Sequence, residues 1–198
     1  MNDDAQLFDQ HGQRLYLTQS EREAFIAVAR NAPRDRRTFA IILHASGARI
    51  SEALALTPAR IDITGRRVVF ETLKRRKRGL YRAVPLSDEV IDTLDMVHGL
   101  TEAHRAKKRD FLDRPLWSFS RTTAWRFLTE MMDDAGIVEG RHRTPKGLRH
   151  GFGINAILKG VPLTTLRDWM GHKHIETTAI YLKAVSAEER TIAERMWM

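Results

Sequence analysis

Leu166-Arg167-Asp168-Trp169-Met170-Gly171-His172, followed by Thr177-Thr178 and Tyr181, is the stretch from which the reading of this chain works outward. Helical spacing on either side of Gly171 predicts a short helix over about 164–170 and a second over 176–183. His172, directly after Gly171, reads as a turn residue or a helix N-cap. Taken by itself, Tyr181 is a half-buried packing tyrosine.

Upstream, Thr144-Pro145 supplies an N-cap and a proline at the first helical position, opening a helix to about Lys159 that stops at Gly160. Its first turns carry Lys146-Gly147-Leu148-Arg149-His150. Before it, Ser120 caps a helix through Trp125, Phe127, Leu128 and Met131, closed by Gly136, with 117–119 a short extended piece. Residues 101–110 are polar and read as loop. At the other end Thr18-Gln19-Ser20-Glu21 is a capping box, opening a helix that stalls near Asn31-Ala32-Pro33. A second helix follows from about Arg34 to a glycine C-cap at Gly47, and a third over 50–56. The period then shortens: 61–63, 68–70 and 81–84 are β-rich runs, predicting a small antiparallel meander. Ser87-Asp88-Glu89 opens another helix with Val90, Ile91, Leu94 and Val97 on one face, and Ser186 caps a last one toward Trp197. The expected class is α+β, mostly helical, with a small antiparallel β-sheet on one side.

Composition narrows the function. The 198 residues carry 33 Lys+Arg against 25 Asp+Glu, a formal net charge of +8, and 42% of them are hydrophobic, enough for a real core. No apolar run approaches ~18 residues, which excludes a transmembrane helix. Met1-Asn2-Asp3-Asp4 does not resemble a secretory signal. With no cysteine, disulfide scaffolds, thiolate metal sites and cysteine nucleophiles are excluded. Residues 72–87 hold Lys74, Arg75, Arg76, Lys77, Arg78 and Arg82 and no acid, and 140–166 hold Arg141, Arg143, Lys146, Arg149 and Lys159 and no acid. These eleven charges exceed the whole net charge, so the rest of the chain is net acidic. Confined to two segments, the excess reads either as two surfaces presented to a polyanion, most simply nucleic acid, or as a solvated basic face.

Gly47-Ala48-Arg49-Ile50-Ser51-Glu52, Lys74, the Lys146–His150 box and the Gly171–Tyr181 stretch are individually weak signals. In their order and spacing, with Arg149 and His172 23 apart and His172 and Tyr181 nine apart, they resemble the tyrosine recombinase (phage integrase) family. The resemblance covers about 16–185 and implies a catalytic domain there. It assigns Arg49 and Arg149 as planar forks on the oxygens of a scissile phosphate, His172 as a donor to the same phosphate, and Tyr181 as the nucleophile that forms a 3′-phosphotyrosine with a free 5′-hydroxyl. A hairpin lysine protonates the 5′ oxygen. Lys74, directly after the strand, is preferred over Lys77 in the turn because rigid elements position groups better. Lys146 stands where the family usually has histidine, and acts as a phosphate donor or, if the neighbouring arginines discharge it, as a base. Glu52 is expected to orient Arg49, and His150 to buttress the site. Arg75, Arg76, Lys77, Arg78, Arg141 and Arg143 are expected on DNA backbone.

The resemblance implies site-specific recombination of double-stranded DNA (integration, excision, inversion or resolution) without metal or other cofactor. A type IB topoisomerase-like nicking-closing enzyme and a non-catalytic DNA-binding regulator are the alternatives. It further implies a homotetramer on two DNA sites and a cytoplasmic, nucleoid-associated protein of prokaryotic, phage or plasmid origin. Residues 1–15 form an N-terminal extension in place of a larger DNA-clamping domain, which reads as a minimal recombinase or an isolated catalytic piece. The helix over 186–198 either docks into a neighbouring protomer or packs in cis.

Overall fold

Helix α1 (Gln19–Arg30) starts at the predicted capping box: the Thr18 hydroxyl accepts from the Glu21 amide at 3.3 Å while the Glu21 carboxylate takes the Thr18 N–H at 2.8 Å. In the computed structural model, which describes residues 6–72 and 79–184, α2 (Arg34–Ser46) follows and ends on Gly47 in the left-handed conformation. Helix α3 (Ile50–Leu54) is shorter than its predicted span because Thr57-Pro58 turns the chain into a 3₁₀ segment, Pro58–Arg60. The meander is β1 (Ile61–Asp62), β2 (Arg67–Glu71) and β3 (Tyr81–Pro85), antiparallel in the order β1-β2-β3, with Phe70 opposite Arg82 and Glu71 opposite Tyr81. Alternation along β2 and β3 puts Val68, Phe70, Arg82 and Val84 inward.

Helix α4 (Asp88–His98) buries Ile91, Leu94 and Val97. The segment 101–110, expected as loop, is instead helical: α5 (Leu100–Arg105) and α6 (Arg109–Leu112). Gly99, at φ 64°, closes α4 and opens α5 in one residue, and Leu100 and Ala103 alone anchor α5 to the core. So few apolar positions leave no readable period in a six-residue helix. Residues 117–119 form no strand, having no partner in the sheet. Trp117 and Phe119 pack edge-on against Phe39 at 5.1 and 5.9 Å, and the Trp117 indole donates to Thr38 Oγ1 at 3.1 Å. Helices α7 (Arg121–Asp134), α8 (Pro145–Leu158), α9 (Leu163–Met170) and α10 (Glu176–Ala184) agree with the sequence reading.

Two hydrophobic clusters build the interior. The larger joins α1, α2, α3, α7, the sheet, α4 and α5 around Phe25, Phe39, Phe70 and Phe127. The smaller gathers Leu7, Phe152, Ile154, Ala156, Leu166, Met170 and Tyr181. Helix α8 runs between them, giving Leu148 to the first and Phe152 to the second, so Arg149 and His150 lie at the seam of both. No helix among the described residues is long and apolar enough to cross a membrane. The predicted helix over 186–198 lies outside the described residues.

Candidate active site

Gly47 places the chain so that Arg49 caps α3 with its backbone extended. One turn on, Glu52 takes the Arg49 N–H at 2.9 Å and Arg49 Nη1 at 3.0 Å, which brings the two side chains together. Glu52 is buried and is held from the other side by Arg82 Nη2 at 2.6 Å. Burial alone would raise its pKa, but the charges of Arg82, Arg49 and Arg149 outweigh that and keep the carboxyl below its ordinary value.

Arg149, one helical turn into α8, is buried and points its fork across three segments. Nη1 donates to Gly47 O at 2.5 Å, and Nη2 donates to Met170 O at 2.7 Å and to His172 Nε2 at 3.0 Å. Arginine has only donors, so Nε2 of His172 accepts; in the neutral ring Nδ1 carries the proton and donates to Thr178 Oγ1 at 2.9 Å. Gly171, left-handed at φ 64°, ends α9 so that His172 turns back toward Arg149. Arg49, Lys146 and Arg149 open into one cavity of about 780 Å³, also walled by Ser51, Arg121, Trp125 and Arg141 and by Gln6, Phe8, Asp9 and Gln10 of the N-terminal segment.

Tyr181 is placed differently from the half-buried position expected of it. Its side chain is fully buried, with its ring stacked on His172 at 6.4 Å and 19° and its hydroxyl 3.1 Å from His150 Nδ1. Neither Tyr181 nor His172 is among the described residues lining the cavity. His150, expected as a buttress, lies against Tyr181. Of the expected backbone contacts, Arg141 faces the cavity but pairs with Asp9 at 3.3 Å, and Arg143 pairs with Asp133. Lys74, Arg75, Arg76, Lys77 and Arg78 lie outside the described residues. The ladder that leads to them is regular: Thr72 N donates to Leu80 O at 2.8 Å.

Two buried arginines escaped the sequence reading. Arg22 of α1 donates to Leu148 O and to His44 O, both at 3.0 Å, and burial lowers its pKa to about 10. Arg82 had a readable signal, since it takes an inward position in a strand where Val84 is the next inward residue.

Among the described residues, no group of three or more His, Asp or Glu is arranged to hold a metal ion. The sequence model of the phage integrase family matches residues 15–188. Tyrosine recombinase XerD of Mycobacterium tuberculosis is 34% identical over 145 residues, covering 71% of this chain and 45% of that protein. The chain therefore spans about half the length of the curated relatives it matches. The catalytic domain of bacteriophage HP1 integrase superposes with a TM-score of 0.66 at 23% identity over 90% of this chain and 93% of the other. XerH site-specific recombinase bound to its difH substrate, in a pre-cleavage complex, gives 0.66 at 19% identity, over 90% of this chain and 56% of the other.

Proposed function

The chain belongs to the phage integrase family, and from that premise we propose that it cuts and rejoins double-stranded DNA at specific sites through a 3′-phosphotyrosine. The observation that carries the reading is the convergence of Arg49, Lys146 and Arg149 on one open cavity, with His172 on Arg149 and Tyr181 stacked on His172. Two guanidinium forks and an ammonium suit a phosphodiester, whose charge must be neutralised on the non-bridging oxygens during displacement.

In the reaction the Tyr181 oxygen forms a bond to phosphorus and gives its proton to solvent water, while the bond from phosphorus to the 5′ oxygen breaks. That oxygen takes a proton from Lys74, or from Lys77 as the alternative. Rejoining reverses these steps, so the bond energy is kept in the phosphotyrosine and no cofactor is needed. Once phosphate oxygens take the Arg149 donors, the His172 ring exchanges its Nδ1 proton for one on Nε2 through solvent, so that Nε2 donates to the phosphate while the Thr178 hydroxyl turns to donate to Nδ1. The Tyr181 hydroxyl is buried against His150, so attack requires α10 to shift and present it to the cavity. Lys146 serves as a further phosphate donor. Arg141 and Arg143, with Arg75, Arg76 and Arg78, hold backbone phosphates beside the scissile one. Residues 16–185 form the catalytic unit, residues 1–15 an extension of it, and 186–198 the link between protomers of a tetramer that aligns two DNA sites in the nucleoid.

Covalent capture tests this. A pool of nicked duplexes with randomised arms, whose cleavage releases a short 5′-terminal fragment, should leave a detergent-resistant adduct on the wild-type chain and none on Tyr181→Phe. Absence of any adduct, or an adduct that persists in Tyr181→Phe, would sink the assignment.

A further inference from the structure

Arg82 sits at an inward position of β3 opposite Phe70, its guanidinium over that ring at 5.2 Å. Its donors reach three separate elements: Nη2 to Glu52 Oε2 of α3 at 2.6 Å, Nε to the Trp169 carbonyl of α9 at 2.8 Å, and Nη1 to Thr72 Oγ1 just beyond β2 at 3.3 Å. Each contact adjoins a group of the candidate site. Glu52 grips Arg49 by its backbone N–H and its guanidinium. Trp169 directly precedes Met170, whose carbonyl accepts from Arg149, and lies three residues before His172. Thr72 is the last described residue before the basic run that holds Lys74. A Cβ at Gly171 would lie 3.1 Å from both Cδ and Nη1 of Arg82, so the glycine that lets α9 end also leaves room for this side chain.

A buried arginine–carboxylate contact is poor evidence for stability, because apolar residues of similar volume usually do as well. What such residues cannot do is hold three elements at fixed spacing through directed hydrogen bonds. Arg82 is not among the described residues lining the cavity, so it acts on the phosphate through others. We propose that Arg82 is a positioning residue: it sets the spacing between Arg49 and the Arg149–His172 pair, and so the shape of the fork that a scissile phosphate meets. This rests on the phosphoryl-transfer reading above.

The test uses the full 198-residue chain and the duplex recovered by the covalent capture. Arg82→Met should slow single-turnover adduct formation by about 100-fold, the scale of a catalytic group misplaced by about 1 Å, with equilibrium affinity for the duplex unchanged. On the same duplex with a methylphosphonate at the scissile position, one oxygen charge is gone and the arginines matter less. There the deficit against wild type should shrink to below about tenfold. Arg82→Lys keeps the charge but cannot span three elements, and should behave like Arg82→Met. An equal deficit on both substrates marks a merely structural residue and overturns the proposal, as does a wild-type rate in either variant. If circular dichroism shows Arg82→Met unfolded, the substrate ratio of Arg82→Lys decides. No adduct from the wild-type chain overturns the phosphoryl-transfer reading itself, a failure distinct from the other two.

Discussion

Tyr181 is seated by what α8 lacks. A Cβ on Gly153 would fall 2.6 Å from the tyrosine ring, so the ring occupies space that any other residue would fill. Glycine inside a helix costs about 1 kcal/mol relative to alanine, and here that cost is offset by burying the aromatic ring against His150 and His172. Gly153→Ala should therefore destabilise the chain by about 1–3 kcal/mol through overpacking, read as a lower midpoint in denaturant unfolding. An unchanged midpoint would mean that Tyr181 does not sit there. At this scale the sequence was most informative where a residue acts with near neighbours. Arg49 and Glu52 are one helical turn apart, and His172 follows its turn glycine directly. It was least informative on Arg82 and Arg22, which have partners as far as 30, 87 and 126 residues away. A charge seen in sequence is solvated by default, and only the packing of distant segments shows that it is buried.

The start of α1 is a small electrostatic element as well as a cap. Arg14 pairs with Glu21 through two nitrogens and also reaches His142 Nε2 at 3.1 Å, tying the N-terminal segment to the loop before α8. Burial would raise the Glu21 pKa, but hydrogen bonds from Arg14 and Thr18 lower it from an ordinary 4.5 to about 2. A depressed carboxyl contributes stability that is complete above its unfolded pKa and is lost as pH falls through the folded one. The cap should accordingly hold above about pH 4.5 and weaken progressively toward pH 2. Thermal unfolding midpoints across that range should fall more steeply for wild type than for Glu21→Gln, and parallel curves would contradict the assignment. Helices such as α1 and α8 were legible because their caps are local. Helix α5 was not, because only two of its six residues are buried and they set no apolar period.

Over the whole molecule the net charge of +8 is unevenly used. Glu52 and Glu21 are taken up by buried or half-buried arginines, while the cavity presents Arg49, Lys146, Arg149, Arg121 and Arg141 together. If that wall meets DNA backbone, affinity for a mixed-sequence duplex should fall steeply with salt. Arg141→Ala should lower the slope of log K against log salt by about one unit by removing one phosphate contact. Fluorescence anisotropy at several salt concentrations measures this, and an unaltered slope would take Arg141 off the interface. The sequence by itself determined the helices with strong caps, the three-stranded meander and the order of Arg49, Arg149, His172 and Tyr181. Each rests on interactions within a few residues or on a spacing kept along the chain. Only the tertiary structure decided that Tyr181 is fully buried on His150 and that Glu52 lies between Arg49 and Arg82. Only there is Arg141 seen to share a wall with Asp9. Burial and charge pairing depend on which distant surfaces exclude water together, and no local pattern encodes that.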